Sequence, residues 1–380
     1  VRALLRSLLV ACALAVVPVV ARADTPPGSW DVARDPSAAD RWALHVRVVH
    51  IERQIARIRR GPTFDDPSAG AGGPGDAENL AVTALAMLES ADSDAHPDTR
   101  LRFDLGIVRC LLGDLTGRID YYDKGARTLA DALARAPDGE GSTEALATLA
   151  QAYAHLAKPH EELETWHRYL PRIENPAVAI VDGMNMGEAQ MRVGRVDDAL
   201  VTFRDLVRQC GDAPVGADTY TLILWDLAIA QDRTGDARGA METAARATGQ
   251  TIFGVKIIPI DGLQLLTEDE NVFFVPEWER DWYLALGNEV KGRAQTKPEL
   301  AVRYLQRAES EWDEYVTKET EELGGPVASR AVKAGDDPGK IAAAGWLRIA
   351  HLRRDRVHAA LTAAAKKLPK HFRMAPPEIQ

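Results

Sequence analysis

Nine histidines are the first residues here with obvious chemical capacity. The densest group is His155, His160 and His167, flanked by Glu161 and Glu162. Imidazoles hold a metal from one helix when they sit four apart on one face, as in H-E-x-x-H. Here the spacings are five and seven, and Pro159 places His160 in a turn. No single face gathers the three, which argues against a metal site. His351 and His358 have face-sharing spacing, but Arg353–Arg356 reads as a turn between them. No C-x-x-C pair, G-x-S-x-G elbow, Walker loop or dinucleotide fingerprint occurs. Gly70–Gly75 is glycine-rich but lacks a flanking strand and a Lys-Ser/Thr. The pairs Glu161-Glu162 and Glu321-Glu322 read as solvated helix faces and ends, not as paired catalytic carboxylates. The expectation is a non-enzyme with no cofactor and no metal.

The elements that would carry a function other than catalysis begin after residue 23. Residues 1–23 combine Arg2 and Arg6, an apolar run from Leu8 to Val20, and Ala21-Arg22-Ala23 before Asp24. That is the pattern of a secretory signal peptide, too short to span a membrane comfortably. The initial Val reads as an alternative start codon. Leu9-Val10-Ala11-Cys12 also resembles a lipobox, although the apolar run continues past Cys12. The expected mature chain is exported, periplasmic or secreted, with no transmembrane segment.

The net charge is −10. Without Arg2, Arg6 and Arg22, 43 basic residues face 56 acidic ones, a net −13. Such a chain lacks the basic footprint of a nucleic-acid binder. Residues 341–380 are locally basic, and this run reads as the solvated face of a terminal helix. Cys110 and Cys210 fall in separate helix pairs, too distant in the expected array for a disulfide.

Asp35-Pro36 is an N-terminal helix signal, with Asp as cap and Pro at the first helical position. That helix ends at Gly61-Pro62, and Gly61–Asp76 has linker composition. From Ala77 the chain reads as helix pairs. One frame recurs: a small residue, a hinge seven positions later, then an alanine-type and a large apolar position. The clearest copy is Gly187, Gln190, Val193, Gly194, Ala199, Phe203 and Leu206. Other copies start at Gly106, Ala150, Ala228 and, more loosely, Gly287. In the Gly106 copy Gly113 is expected to end the first helix, with a loop insertion at Thr116–Tyr122. A final pair, 341–350 and 357–368, would cap the array.

These residues resemble the tetratricopeptide repeat family, whose pattern is W-x2-L-G-x2-Y, then A-x3-F, A and P on a unit of about 34 residues. Here the small positions lie 44, 37, 41 and 59 residues apart, so the units are irregular. The resemblance covers Asp98–Ala247 and, less well, Trp282–Ala308. It implies an all-α solenoid of helical hairpins whose first helices line a concave groove. The groove positions are Gln151 and His155, then Glu188, Met191 and Arg192, then Trp225, Ile229 and Arg233, then Asn288 and Lys291. Trp225, Ile229 and Met191 would form an apolar floor. His155, Arg192, Arg233 and Lys291 would add positive charge. Glu188 and Ile229 stand where some members carry asparagines that clamp a C-terminal carboxylate, so that clamp is not implied. The implied partner is a protein or peptide segment.

One segment departs from this pattern. Thr251–Ile258 and Val272–Val275 are β-branched and aromatic, with turn residues between them. They read as a short β-hairpin insertion. The expected organisation is a signal peptide at 1–23, a helix and linker at 24–76, and repeats at 77–248. The strand-forming insertion follows at 249–276, further repeats and cap at 277–370, and a tail at 371–380. The leading expectation is a protein-binding scaffold of the bacterial cell envelope. One alternative is an envelope enzyme or ligand-binding protein with acids of Asp261–Glu277 converging in a cleft. Another is a lipid-anchored assembly factor acylated at Cys12. The oligomeric state is left open.

Overall fold

A computed structural model describes residues 26–28, 35, 37–60, 70, 72–92, 98–212, 215–248, 262–268, 272–326, 329, 332–333 and 335–368. The signal-peptide region, the first expected strand run Thr251–Ile258 and the tail at 371–380 lie outside the described residues. The chain forms two compact units, residues 1–182 and 183–380.

The first unit stacks α1 (Ala38–Arg60), α2 (Pro74–Ala91), α3 (Thr99–Thr116), α4 (Ile119–Arg135), α5 (Ser142–His155) and α6 (Pro159–Tyr169). Each packs on its successor up to α6, and α1 on α3 and α3 on α5 as well. This is the stacking of tetratricopeptide-like hairpins, in which first helices touch first helices. The alanines 77, 81 and 84 of α2, with Leu88, lie on one buried stripe. Their small side chains let α2 settle on Val48, Ile51 and Ile55 of α1 and Leu101, Leu105 and Val108 of α3. His45 of α1 and Asp104 of α3 meet in this core, Nδ1 to Oδ2 at 2.6 Å, each 1% exposed.

α7 (Pro176–Arg192) crosses the boundary between the units. The second unit continues with α8 (Val196–Gln209), α9 (Ala217–Arg233), α10 (Ala237–Thr248), α11 (Gly262–Glu268), α12 (Glu279–Ala294), α13 (Pro298–Glu322) and α14 (Pro338–Ala365). Among the described residues all regular structure is helical.

The recurring frame has a direct physical cause. A Cβ on Gly187 would lie 2.5 Å from the Phe203 ring, so only a bare backbone allows α7 to approach α8. Seven positions on, Ala157, Gly194 and Gly235 all have positive φ. Each is followed by the same reverse bond, Lys158 N to Tyr153 O, Arg195 N to Gln190 O and Asp236 N to Gln231 O, at 2.8–2.9 Å. That is the Schellman stop, which satisfies loose carbonyls at a helix end. Glu162, which stands at an alanine position, is 1% exposed and accepts a bond from Trp166 Nε1 at 3.2 Å. The acid is thus tolerated because the neighbouring indole supplies a donor.

Several expectations change. Gly113 does not end α3; the helix runs one turn further and stops at Gly117, φ +67°. Gly113 instead makes room for Tyr122, whose ring a Cβ would meet at 2.8 Å. No loop insertion exists at Thr116–Tyr122, because only Gly117 and Arg118 separate the helices. The linker reading fails at its end, where Pro74 opens α2 and Gly73 N donates to Asp76 Oδ2 at 2.9 Å. In the loose copy, Gly287 meets Leu263 and Trp225 instead of its own second helix, while Gly292 faces Leu305.

The expected β-hairpin is also not supported. Gly262–Glu268 is helical where a turn was expected, and Val272–Val275 is not a strand. The reason is the period: Leu263 and Leu266, three apart, are buried on one helical side. The final pair is likewise one continuous helix, α14, with no turn at Arg353–Arg356. Arg353 is held by tertiary partners in mid-helix, which removes the reason to break there.

Candidate protein-binding surface

The groove positions have different fates in the two units. In the first unit, Gln151 and His155 stand half-exposed on α5. The His155 ring stacks on Tyr122 of α4, with centroids 4.2 Å apart and planes at 14°. The Tyr122 hydroxyl donates to Asp114 Oδ1 at 2.8 Å. His155 Nε2 lies 3.9 Å from that same oxygen, and Arg59 Nη1 lies 3.9 Å from Asp114 Oδ2. Four helices, α1, α3, α4 and α5, therefore converge on one carboxylate. Asp114 keeps 36% of its side chain open but sits in a recess. Burial raises its pKa, and the bond from Tyr122 opposes that rise. Burial and the adjacent carboxylate push the Tyr122 phenol up too. Tyr122 itself is buried beneath His155, so the surface offers the half-exposed imidazole with an acid and a guanidinium beside it. These are groups that recognise a peptide through stacking and charge-assisted hydrogen bonds.

Sequence reasoning placed His155 here but missed Asp114, Tyr122 and Arg59. Tyr122 falls in the expected loop insertion Thr116–Tyr122, and Asp114 just past the expected helix end at Gly113. The extra turn of α3 beyond Gly113 is what carries Asp114 into position. The i to i−4 bond from Thr116 Oγ1 to Leu112 O was not legible as a helix signal.

In the second unit most groove positions are filled. Trp225 is 0% exposed, and its Nε1 donates to Gly262 O of α11 at 3.2 Å. Ile229 and Met191 are buried as well. The three expected floor residues are therefore core, and Trp225 faces no solvent. Asn288 is buried and its Nδ2 donates to both carboxylate oxygens of Glu311 at 3.0 Å. Burial lifts the Glu311 pKa to about 8, against the lowering by Asn288. Glu188, Arg192 and Lys291 are half-exposed, Lys291 with its Nζ 5.8 Å above the Tyr304 ring.

Arg233 is the hub of this unit. Its guanidinium lies 4.8 Å from the Trp282 ring and 4.0 Å from the Trp346 ring, and pairs with Glu279. Beside it, Asp232 accepts from Trp282 Nε1 at 3.1 Å and from Arg353 Nε at 3.0 Å. Arg353 also reaches Glu289 Oε2 at 3.5 Å and Ala237 O at 3.2 Å. Burial and the nearby Glu188 push Asp226 well above the ordinary carboxylate range, while Tyr283 donates to it at 3.0 Å.

A cleft of about 690 Å³ in the first unit is lined by Pro26, Arg41, Trp42, Asp98, Arg100 and Glu140, among others. Its arginines are paired already, Arg41 with Asp35 and Asp98, and Arg100 with Glu140. Among the described residues no cluster of three or more His, Cys, Asp or Glu is arranged to hold a metal. No helix among them is long and apolar enough to cross a membrane.

No known protein family's profile matches the chain, and no curated protein matches it. Two solved structures that resemble it are MamA MSR-1 C2 and a point mutant of MamA. Each is 17% identical with a TM-score of 0.37, over 53% of this chain and 95% or 96% of theirs. The repeat assignment rests on the hairpins themselves.

Proposed function

We propose that this chain is an exported, non-enzymatic, tetratricopeptide-like scaffold that binds a protein segment in the bacterial cell envelope. The observation that carries the reading is the first unit's open face. There Gln151 and His155 stand half-exposed on α5, and His155 stacks on Tyr122, which bonds Asp114, among the stacked hairpins. Stacked hairpins present such faces side by side, which suits an extended or helical segment. The leader pattern of residues 1–23 supports export.

A photo-crosslinking residue at Gln151 in the full chain tests the binding reading. Irradiation of an envelope fraction is expected to give discrete protein adducts, identified by mass spectrometry. The control is the same probe at Arg127, whose side chain is 74% exposed on α4. Adducts no different from this control would overturn the reading. Mass spectrometry of the mature N-terminus tests export: a start at Asp24 is expected. Acylated Cys12, or a retained leader, would overturn that part.

A further inference from the structure

The second unit supplies its own occupant for the face that the repeat pattern assigns to a partner. α14 carries Trp346 and Arg353 two turns apart, so both point the same way. Trp346 lies on the Arg233 guanidinium. Arg353 enters a seat made by Asp232 of α9, Glu289 of α12 and the Ala237 carbonyl that opens α10. Asp232 is 0% and Glu289 1% exposed. Two carboxylates at that depth are costly unless cations neutralise them: Arg293 Nε donates to Glu289 Oε1 at 2.8 Å, and Arg353 serves Asp232. Only a planar fork of donors reaches three acceptors on three helices at once, which selects arginine over lysine.

The remainder of α14 packs along α13 and leaves its other flank open. Only Ala344, Trp346, Leu347, Ala350, Arg353 and Val357 are buried in its 28 residues, and Leu352 is 57% exposed. Replacing one arginine by another in the seat leaves the number of buried ions unchanged. Exchange is therefore limited by opening, not by desolvation, and membership of the same chain supplies the local concentration that favours the resident helix.

We propose that the Asp232–Glu289 seat recognises a helical partner segment bearing an arginine with an aromatic residue two turns before it. α14 is its intramolecular occupant and competes with that segment. The proposal rests on the reading of the chain as a protein-binding scaffold, and it names the partner chemistry for the second unit.

The probe is a fluorescein-labelled peptide of residues 338–368, read by anisotropy against the full-length chain. Arg353→Ala in the chain is expected to empty the seat and bind the peptide at least tenfold tighter than wild type. A peptide carrying the same substitution is expected to lose that gain. Equal binding to both chains, or to neither, would overturn the proposal. Should the Arg353→Ala chain fail to fold by circular dichroism, hydrogen exchange on wild type decides. Amides of α14 are then expected to exchange faster than those of α13, and faster again with the peptide present. Protection of α14 equal to that of α13 rejects a displaceable helix. Because the peptide comes from the chain itself, this outcome is independent of whether Gln151 captures an envelope protein.

Discussion

The first unit leaves its Gln151–His155 face open, whereas the second covers the corresponding face with core packing and α14. Both units are built from hairpins with the same Schellman stops at Ala157, Gly194 and Gly235. The difference lies in what packs on the first helices. In the first unit His155 meets a tyrosine and a partly open acid. In the second, Arg233 and Asp232 are closed over by Trp282, Trp346 and Arg353. A repeat pattern therefore marks which residues point inward, but not which of them solvent or a partner can reach.

The largest test of that contrast is Trp225→Ala. A groove residue would lose binding without losing stability. Trp225 is wholly buried between α11 and α12, so truncation is expected to cost about 3–5 kcal/mol. A denaturant midpoint shift measures it, and an unshifted midpoint would return Trp225 to the surface. Next is Gly187→Leu, which drives a side chain into the Phe203 ring. A loss of about 1–3 kcal/mol is expected from overpacking. An unchanged melting midpoint would reject the α7–α8 register.

A third test uses pH. The folded pKa of Glu311, about 8, stands above its ordinary value of 4.5. The folded state therefore binds the proton more tightly than the unfolded chain. The stability this contributes is fully present below pH 4.5 and is lost as pH rises through 8. Glu311→Gln is expected to be near-neutral at pH 4.5 and stabilising relative to wild type at pH 8. Melting temperatures of both proteins across that range check it; parallel curves would contradict a buried, proton-holding Glu311. The smallest stability effect is expected from His155→Ala, because the ring is partly open. Its melting midpoint should shift by less than about 1 kcal/mol equivalent, while adducts from the Gln151 probe fall. A large stability loss with unchanged adducts would make His155 a structural residue.

Legibility followed the range of the interactions. Gly187 and Gly194 were readable because a missing Cβ and a positive φ act within one hairpin. His155 was readable by its offset from Ala150. Asp114 and Tyr122 were not, because Gly113 fits a helix stop as well as a close approach, and only the Tyr122 ring distinguishes them. The strand reading of 249–276 relied on β-branched composition, which outweighed the short Leu263–Leu266 helical spacing. α14 looked like two helices because its charged middle resembles a turn until Arg353 is given partners.

The sequence by itself determined the hairpins around Ala150, Gly187 and Ala228, the stops at Gly194 and Gly235 and their inward-facing positions, since these follow from backbone sterics and local hydrogen bonds. Only the tertiary structure decided which inward face stays open. That choice depends on Arg353 meeting Asp232 across 121 residues of chain. Such a contact leaves no periodic trace, because it joins two helices whose own patterns are complete without it.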